Sequence, residues 1–123
     1  MIAKSLISKL QLIQGVEVFK NYDLTTFSTL KLKCESKCFL KVSSVNGLVE
    51  VMKLFVQNHQ KYLVLGKGSN LVFPNQFNIP VLKLAFSLDL KQFDSKRDFY
   101  ILPASTPLNI LTGKAIKHGL GGW

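Results

Sequence analysis

The segment KYLVLGKGSNLVF, residues 61–73, constrains the fold more than any other stretch. Its aliphatic residues 63–65 form a short apolar run that ends in glycine, a pattern typical of a strand buried on both faces of a parallel sheet. A helix is predicted just before it, beginning at Asn46 and ending near residues 58–59. The predicted apolar stripe of this helix consists of Leu48, Val49, Met52, Phe55 and Val56. We therefore expect strand, helix, strand over residues 39–65, as a right-handed crossover.

Apolar residues and lysines alternate from Leu30 to Val42, which predicts a half-buried strand or a pair of strands. Cys34 and Cys38 fall on the inward face. In one continuous strand they lie about 13 Å apart, beyond the reach of a disulfide, whereas a turn at residues 35–37 would let them face each other. Two cysteines are too few for a disulfide framework, so we expect buried free thiols.

The remaining elements predict an α+β fold. A helix is expected over residues 3–13, closed by Gly15, and short strands over 81–84 and 99–102 that belong to a separate, antiparallel layer. A final helix has Thr106 as its cap, Pro107 at its first position and Gly119 as its stop. We expect a small parallel βαβ subdomain over residues 1–75 and the start of a second, mainly antiparallel subdomain over residues 76–123.

The charge balance favours anionic partners. Sixteen basic and seven acidic residues give a formal charge of +9. Arg97 is the sole arginine, so we do not expect sequence-specific nucleic-acid binding. Lys4 and Lys9 interrupt what would be the apolar part of a secretion signal, and no stretch has membrane-spanning length, which predicts a cytoplasmic protein without a membrane partner. The cysteines and histidines form no metal-ligand pattern.

Residues 66–70, GKGSN, are named the glycine loop here. Glycines let successive backbone N–H groups approach an oxyanion, and short polar side chains add donors, so the loop suits a phosphate. Two common phosphate motifs do not fit: Gly68 stands where a Walker A sequence has Ser or Thr, and Leu71 stands where the dinucleotide fingerprint has its third glycine. A plain turn accounts for the local sequence equally well.

Four segments together resemble a known family. NYDLTTFSTLKL (21–32), LVLGKGSNLVF (63–73), FYILPASTPLNIL (99–111) and KHGLGGW (117–123) are similar, in order, to the opening portion of the UDP-N-acetylenolpyruvoylglucosamine reductases, the MurB family of peptidoglycan synthesis. The resemblance implies an FAD-binding domain of the PCMH/MurB type. It also implies that FAD accepts hydride from NADPH and passes it to a UDP-sugar enolpyruvate.

Carried over by position, the resemblance implies a set of FAD contacts. These are Leu65, Gly66, Lys67, Gly68, Ser69 and Asn70 at the pyrophosphate, and Ala104, Ser105, Gly119 and Gly122 nearer the flavin. Pro103 and Ser105 replace two glycines of the family's flavin-side turn. The family's catalytic serine and glutamate match no position here, so no catalytic residue is assigned. The glycines before Trp123 are of the kind that lead to another element, and we expect the protein to continue and the 123 residues alone to be inactive.

Two other functions fit parts of the sequence. A flavin-linked oxidase of the vanillyl-alcohol-oxidase type shares the cofactor domain and differs in its substrate domain. A non-enzymatic basic module, which binds nucleic acid or an acidic protein, would instead use the lysine-rich surface.

Overall fold

The computed structural model describes residues 2–94 and 98–121, and the chain divides into two units, residues 1–85 and 86–123. The described residues form three helices, α1 (Lys4–Leu10), α2 (Val45–Gln57) and α3 (Leu108–Lys117). They also form one mixed sheet of five strands, β1 (Val16–Asp23), β2 (Glu35–Val42), β3 (Leu63–Leu65), β4 (Gln76–Phe77) and β5 (Val81–Leu84). This mixed architecture is compatible with the α+β class. The subdomain boundary predicted after residue 75 lies inside the first unit, ahead of β4 and β5.

Strand β5 determines the topology of the first unit. It pairs in parallel with β2, with Phe39 opposite Val81, and in parallel with β3, with Leu63 opposite Val81. The order of the main strands is therefore β1, β2, β5, β3. The prediction that residues 81–84 begin a separate antiparallel layer is wrong. Val81 and Leu82 are both fully buried, as expected of a central strand covered on both faces.

Strand β1 was not predicted from the sequence, and β2 is shorter than the predicted alternation. The two strands pair in antiparallel register from Val16 opposite Val42 to Asp23 opposite Glu35. Leu30 and Leu32 do not point inward, since they are 61% and 47% exposed. Lys31 has a positive φ of 50°, which breaks the extended backbone just before β2. The alternation in the sequence therefore overran the strand by five residues, because β2 begins at residue 35.

Helix α2 forms where it was predicted, with a different cap and a rotated buried face. Ser44 is the N-cap in place of Asn46, and its side-chain oxygen accepts a hydrogen bond of 3.0 Å from the N–H of Gly47. The buried row of the helix is Gly47, Val51 and Phe55, whereas the predicted Val49 and Val56 are 45% and 70% exposed. The strand–helix–strand unit over residues 39–65 is confirmed as β2–α2–β3, with β5 placed between its two strands.

Helix α1 forms where a helix was predicted, but it ends at Leu10 and not at residue 13. It buries Leu6, Ile7 and Leu10. Cys34 and Cys38 are buried free thiols. Among the residues described, no helix is long and apolar enough to cross a membrane.

The second unit contains α3 and an irregular segment before it. The hydroxyl of Thr106 donates to the carbonyl of Pro103 at 2.6 Å, so it does not cap the helix as predicted, and Pro107 is the N-cap. Gly119 ends the helix as predicted, with a φ of 64°. The strand predicted over residues 99–102 does not form. The N–H of Ile101 in that segment binds the side chain of Gln92 at 3.1 Å.

Candidate functional site

The glycine loop follows β3, at the end of the sheet where the carboxyl ends of the parallel strands β2, β5 and β3 lie. Ligands of open α/β sheets bind at the carboxyl ends of the strands. Leu65 and Phe73 fix the two ends of the segment in one hydrophobic cluster, at 2% and 5% exposure. Between them the loop reaches the surface, since Gly66, Lys67, Ser69 and Asn70 are exposed and Gly68 is buried. The core therefore holds residues 65–73 at both ends, and the loop residues on either side of Gly68 are exposed to solvent.

Gly68 is the conformational pivot of the loop. Its φ is 73°, in the left-handed region that favours glycine. A β-carbon there would collide with the carbonyl oxygen of Phe27 and would lie 3.2 Å from the Phe73 ring. Gly66 differs, because a β-carbon there would meet nothing within 4 Å. The first glycine leaves open space in front of the backbone, and the second allows the loop to pack on the connection between β1 and β2.

Three carbonyl groups of the loop are held by donors from the protein. The Nζ of Lys83 donates to the Gly66 carbonyl at 2.7 Å. The Thr29 hydroxyl donates to the Ser69 carbonyl at 3.2 Å, and a longer contact of 3.4 Å joins the Leu71 N–H to the Gly68 carbonyl. The described peptide bonds are all trans, and the C=O and N–H of a trans peptide point in opposite directions. Each held carbonyl therefore turns the next residue's N–H away from the protein donor.

The donors of the loop are arranged differently from its acceptors. Within residues 2–94 and 98–121, the backbone N–H groups of Ser69 and Asn70 donate to no other group, and their exposed side chains also make no hydrogen bond. Backbone N–H groups of this kind, in a loop with glycines, form the anion-binding concavities of proteins. Three carbonyls of the loop are thus held, while the N–H groups of Ser69 and Asn70 remain available to an anionic oxygen.

The charges near the loop have the matching sign. Residues 63–73 contain no Asp or Glu. Burial lowers the pKa of Lys83 from its ordinary value, and the positive charge of Lys67 lowers it further. The Lys83 Nζ also lies 5.2 Å from the centre of the Phe27 ring, a cation–π arrangement. Two lysines therefore raise the electrostatic potential at the loop.

The other residues implied by the resemblance lie in the second unit. Ala104 is exposed and Ser105 is half-buried, in a turn closed by a 2.9 Å bond from the Thr106 N–H to the Pro103 carbonyl. Gly119 belongs to the C-terminal cap of α3. Gly122 lies outside the described residues. Of the residues that the resemblance implies, Leu65 to Asn70 therefore lie in the first unit, and Ala104, Ser105 and Gly119 lie in the second.

Three residues that shape the loop, Phe27, Thr29 and Lys83, were not predicted from the sequence to contact it. Thr29 and Phe27 are distant from the loop in sequence, and Lys83 is one lysine among many. Only the pairing of β3 with β5, which sets Leu65 opposite Lys83, brings that lysine to the loop. Within the described part of the chain, no group of three or more His, Cys, Asp or Glu side chains could hold a metal ion.

Comparison with known proteins assigns no family, since no protein-family model and no curated protein matches the chain.

Proposed function

We propose that the glycine loop binds the pyrophosphate of FAD, and that the chain is the FAD-binding portion of an NADPH-dependent UDP-N-acetylenolpyruvoylglucosamine reductase of peptidoglycan synthesis. One observation carries the proposal: the carbonyls of Gly66, Gly68 and Ser69 are held by protein donors, while the N–H groups of Ser69 and Asn70 donate to none of the described residues. A diphosphate offers only acceptors, so it is bound by a loop that presents donors.

The residues of the loop, together with Lys83 in β5, fit this cofactor in three respects. Gly66 leaves open space for the approach of a phosphate oxygen. The side chains of Ser69 and Asn70 are exposed and can donate hydrogen bonds. Lys67 and Lys83 contribute positive charge, and no carboxylate stands in the loop to repel the anion. FAD, when bound, supplies the centre that accepts and donates hydride; the loop's contribution is to bind and orient it.

Binding and turnover are separate expectations. The proton-donor serine of the resembling family matches no position of this chain, so we propose no catalytic residue. Without an interaction specific to the transition state, cofactor binding alone does not accelerate the reduction. We therefore expect the purified 123-residue chain to bind FAD and to show no NADPH-dependent reduction of the enolpyruvyl substrate, measured by NADPH absorbance.

The binding proposal is tested by titrating the chain with FAD and following flavin fluorescence, with inorganic pyrophosphate as competitor. Asn70→Asp puts a negative charge in the loop with almost no change in shape. It should weaken FAD binding about tenfold through repulsion of the phosphates. Asn78→Asp is the matched control, because Asn78 is exposed in the same unit and outside the loop, and it should leave the affinity within about twofold.

Two results would overturn the proposal. The first is a wild-type chain that takes up no FAD. The second is equal FAD affinity in the Asn70→Asp and Asn78→Asp variants. DNA binding with steep salt dependence and no flavin uptake would favour the basic module.

A further inference from the structure

Lys83 occupies an unusual position beside the glycine loop. It lies in β5, in register with Leu65, the last residue of β3. From there its Nζ reaches one residue past the strand end and donates to the Gly66 carbonyl at 2.7 Å. The side chain is half-buried, and its charged group lies 5.2 Å from the centre of the Phe27 ring. A lysine in a central strand thus ends at the backbone of the proposed cofactor loop.

The charge of Lys83 is not neutralised by any carboxylate among the described residues. The ion pairs there join Lys41 to Glu17 and Lys53 to Glu50. The Gly66 carbonyl and the Phe27 ring are neutral groups, so both contacts leave a full positive charge at a half-buried site. Burial and the charge of Lys67 both lower the pKa of Lys83, so its cationic form is less stable here than it would be in water. An anion bound at the loop would relieve this cost.

The bond to Gly66 also has a geometric consequence. The Gly66 carbonyl and the Lys67 N–H belong to one trans peptide, so a carbonyl held by Lys83 fixes the direction of that N–H, away from β5. In the absence of a donor at residue 83, the peptide is free to rotate and place its carbonyl oxygen toward a bound anion, where it would repel it. Lys83 therefore acts on the loop through both orientation and charge.

We propose that Lys83 is a positioning residue of the pyrophosphate site. It holds the Gly66 peptide in the orientation that accepts an anion, and it supplies a positive charge that the anion neutralises. This inference rests on the proposed function and names a residue that the motif resemblance does not include.

The test compares Lys83→Met with Lys61→Met. Methionine keeps an unbranched apolar stem and removes both the hydrogen bond and the charge. Lys61 is an exposed lysine of the same unit, ahead of β3, so its variant controls for the loss of one positive charge.

FAD affinity is measured over a range of salt concentrations, with riboflavin, which lacks phosphate, measured in parallel. We expect Lys83→Met to weaken FAD binding about tenfold at low salt and to reduce its salt dependence, because one cation no longer contributes. The riboflavin affinity of Lys83→Met should stay unchanged. The FAD affinity of Lys61→Met and its salt dependence should also match those of the wild-type chain.

A purely structural role for Lys83 would not alter the salt dependence. Lys83→Gln serves as a second variant, since its amide can still donate to the Gly66 carbonyl while the charge is lost. It should bind FAD more tightly than Lys83→Met and show the same reduced salt dependence. If Lys83→Met does not fold, judged by circular dichroism, Lys83→Gln alone decides the matter, and an unchanged affinity and salt dependence would overturn the inference.

The outcomes separate the two proposals. If the wild-type chain binds FAD in competition with pyrophosphate, yet Lys83→Met and Lys61→Met behave alike, the role of Lys83 is disproved and the proposed function stands. If the wild-type chain binds no FAD, both are disproved.

Discussion

The carbonyl oxygen of Phe27 occupies the space that a β-carbon on Gly68 would need. The two residues lie far apart in the sequence, one in the connection between β1 and β2 and the other in the glycine loop. Thr29 reinforces the same contact through its bond to the Ser69 carbonyl. Two segments that the resemblance treats as separate motifs, residues 21–32 and 63–73, therefore form one packed structure.

This contact predicts that the two loop glycines differ in their tolerance of substitution. Gly68→Ala adds a methyl group against a backbone carbonyl and places alanine at a positive φ. We expect it to lower the free energy of unfolding by about 2 kcal/mol or more. Gly66→Ala enters open space and should change it by less than about 0.5 kcal/mol. Urea denaturation of both variants measures the difference, and equal losses would contradict the described packing of the loop.

Ser28 carries a buried hydroxyl that has no hydrogen-bond partner among the described residues. A buried polar group without a partner lowers stability, so Ser28→Ala should raise the free energy of unfolding, by up to about 1 kcal/mol. Ser36 provides a matched comparison, because its equally buried hydroxyl donates to the Cys38 carbonyl at 2.9 Å.

Ser36→Ala should therefore lower the free energy of unfolding by about 1 kcal/mol. Thermal and urea denaturation of both serine variants give the two signs directly. A loss of similar size in both would show that Ser28 finds a partner in solution, such as a buried water.

Cys38 predicts a dependence of stability on alkaline pH. Burial raises the pKa of its thiol from 9.0 to about 11. The unfolded chain loses this proton above pH 9.0, while the folded chain retains it until about pH 11. The contribution of the Cys38 thiol to the free energy of unfolding is therefore fully present below pH 9.0. It is lost as the pH rises from 9.0 to about 11, by at most about 1.4 kcal/mol per pH unit.

The measurement is urea denaturation under reducing conditions from pH 8 to 11, for the wild-type chain and for Cys38→Ala. The variant should be less stable at pH 8, because a buried side chain is truncated, and should lose stability less steeply above pH 9.0. The tyrosines, the lysines and Cys34 are common to both proteins, so the difference in slope isolates Cys38. Parallel curves would disprove the raised pKa.

Local sequence patterns predicted the elements that depend on local forces. The spacing of apolar residues located α1 and α2, and Gly119 marked the end of α3, where a left-handed residue closes the helix. The cap of α2 was misplaced by two residues, because Ser44 and Asn46 are both good capping residues, and in the structure it is the Ser44 side chain that accepts from the Gly47 N–H. The exposed valines of α2 show that an apolar stripe predicts a buried helix face without specifying which residues at its margins pack against the rest of the protein.

From the sequence alone it follows that a short aliphatic strand leads into a loop of glycines and hydrogen-bond donors, that two thiols are buried, and that the chain is cationic. The position of β5 between β2 and β3, which brings Lys83 to the Gly66 carbonyl, became known from the strand pairing. It could not be predicted, because strand pairing joins residues that are distant in the chain, and a four-residue segment such as VLKL does not specify which strands it pairs with or in which direction.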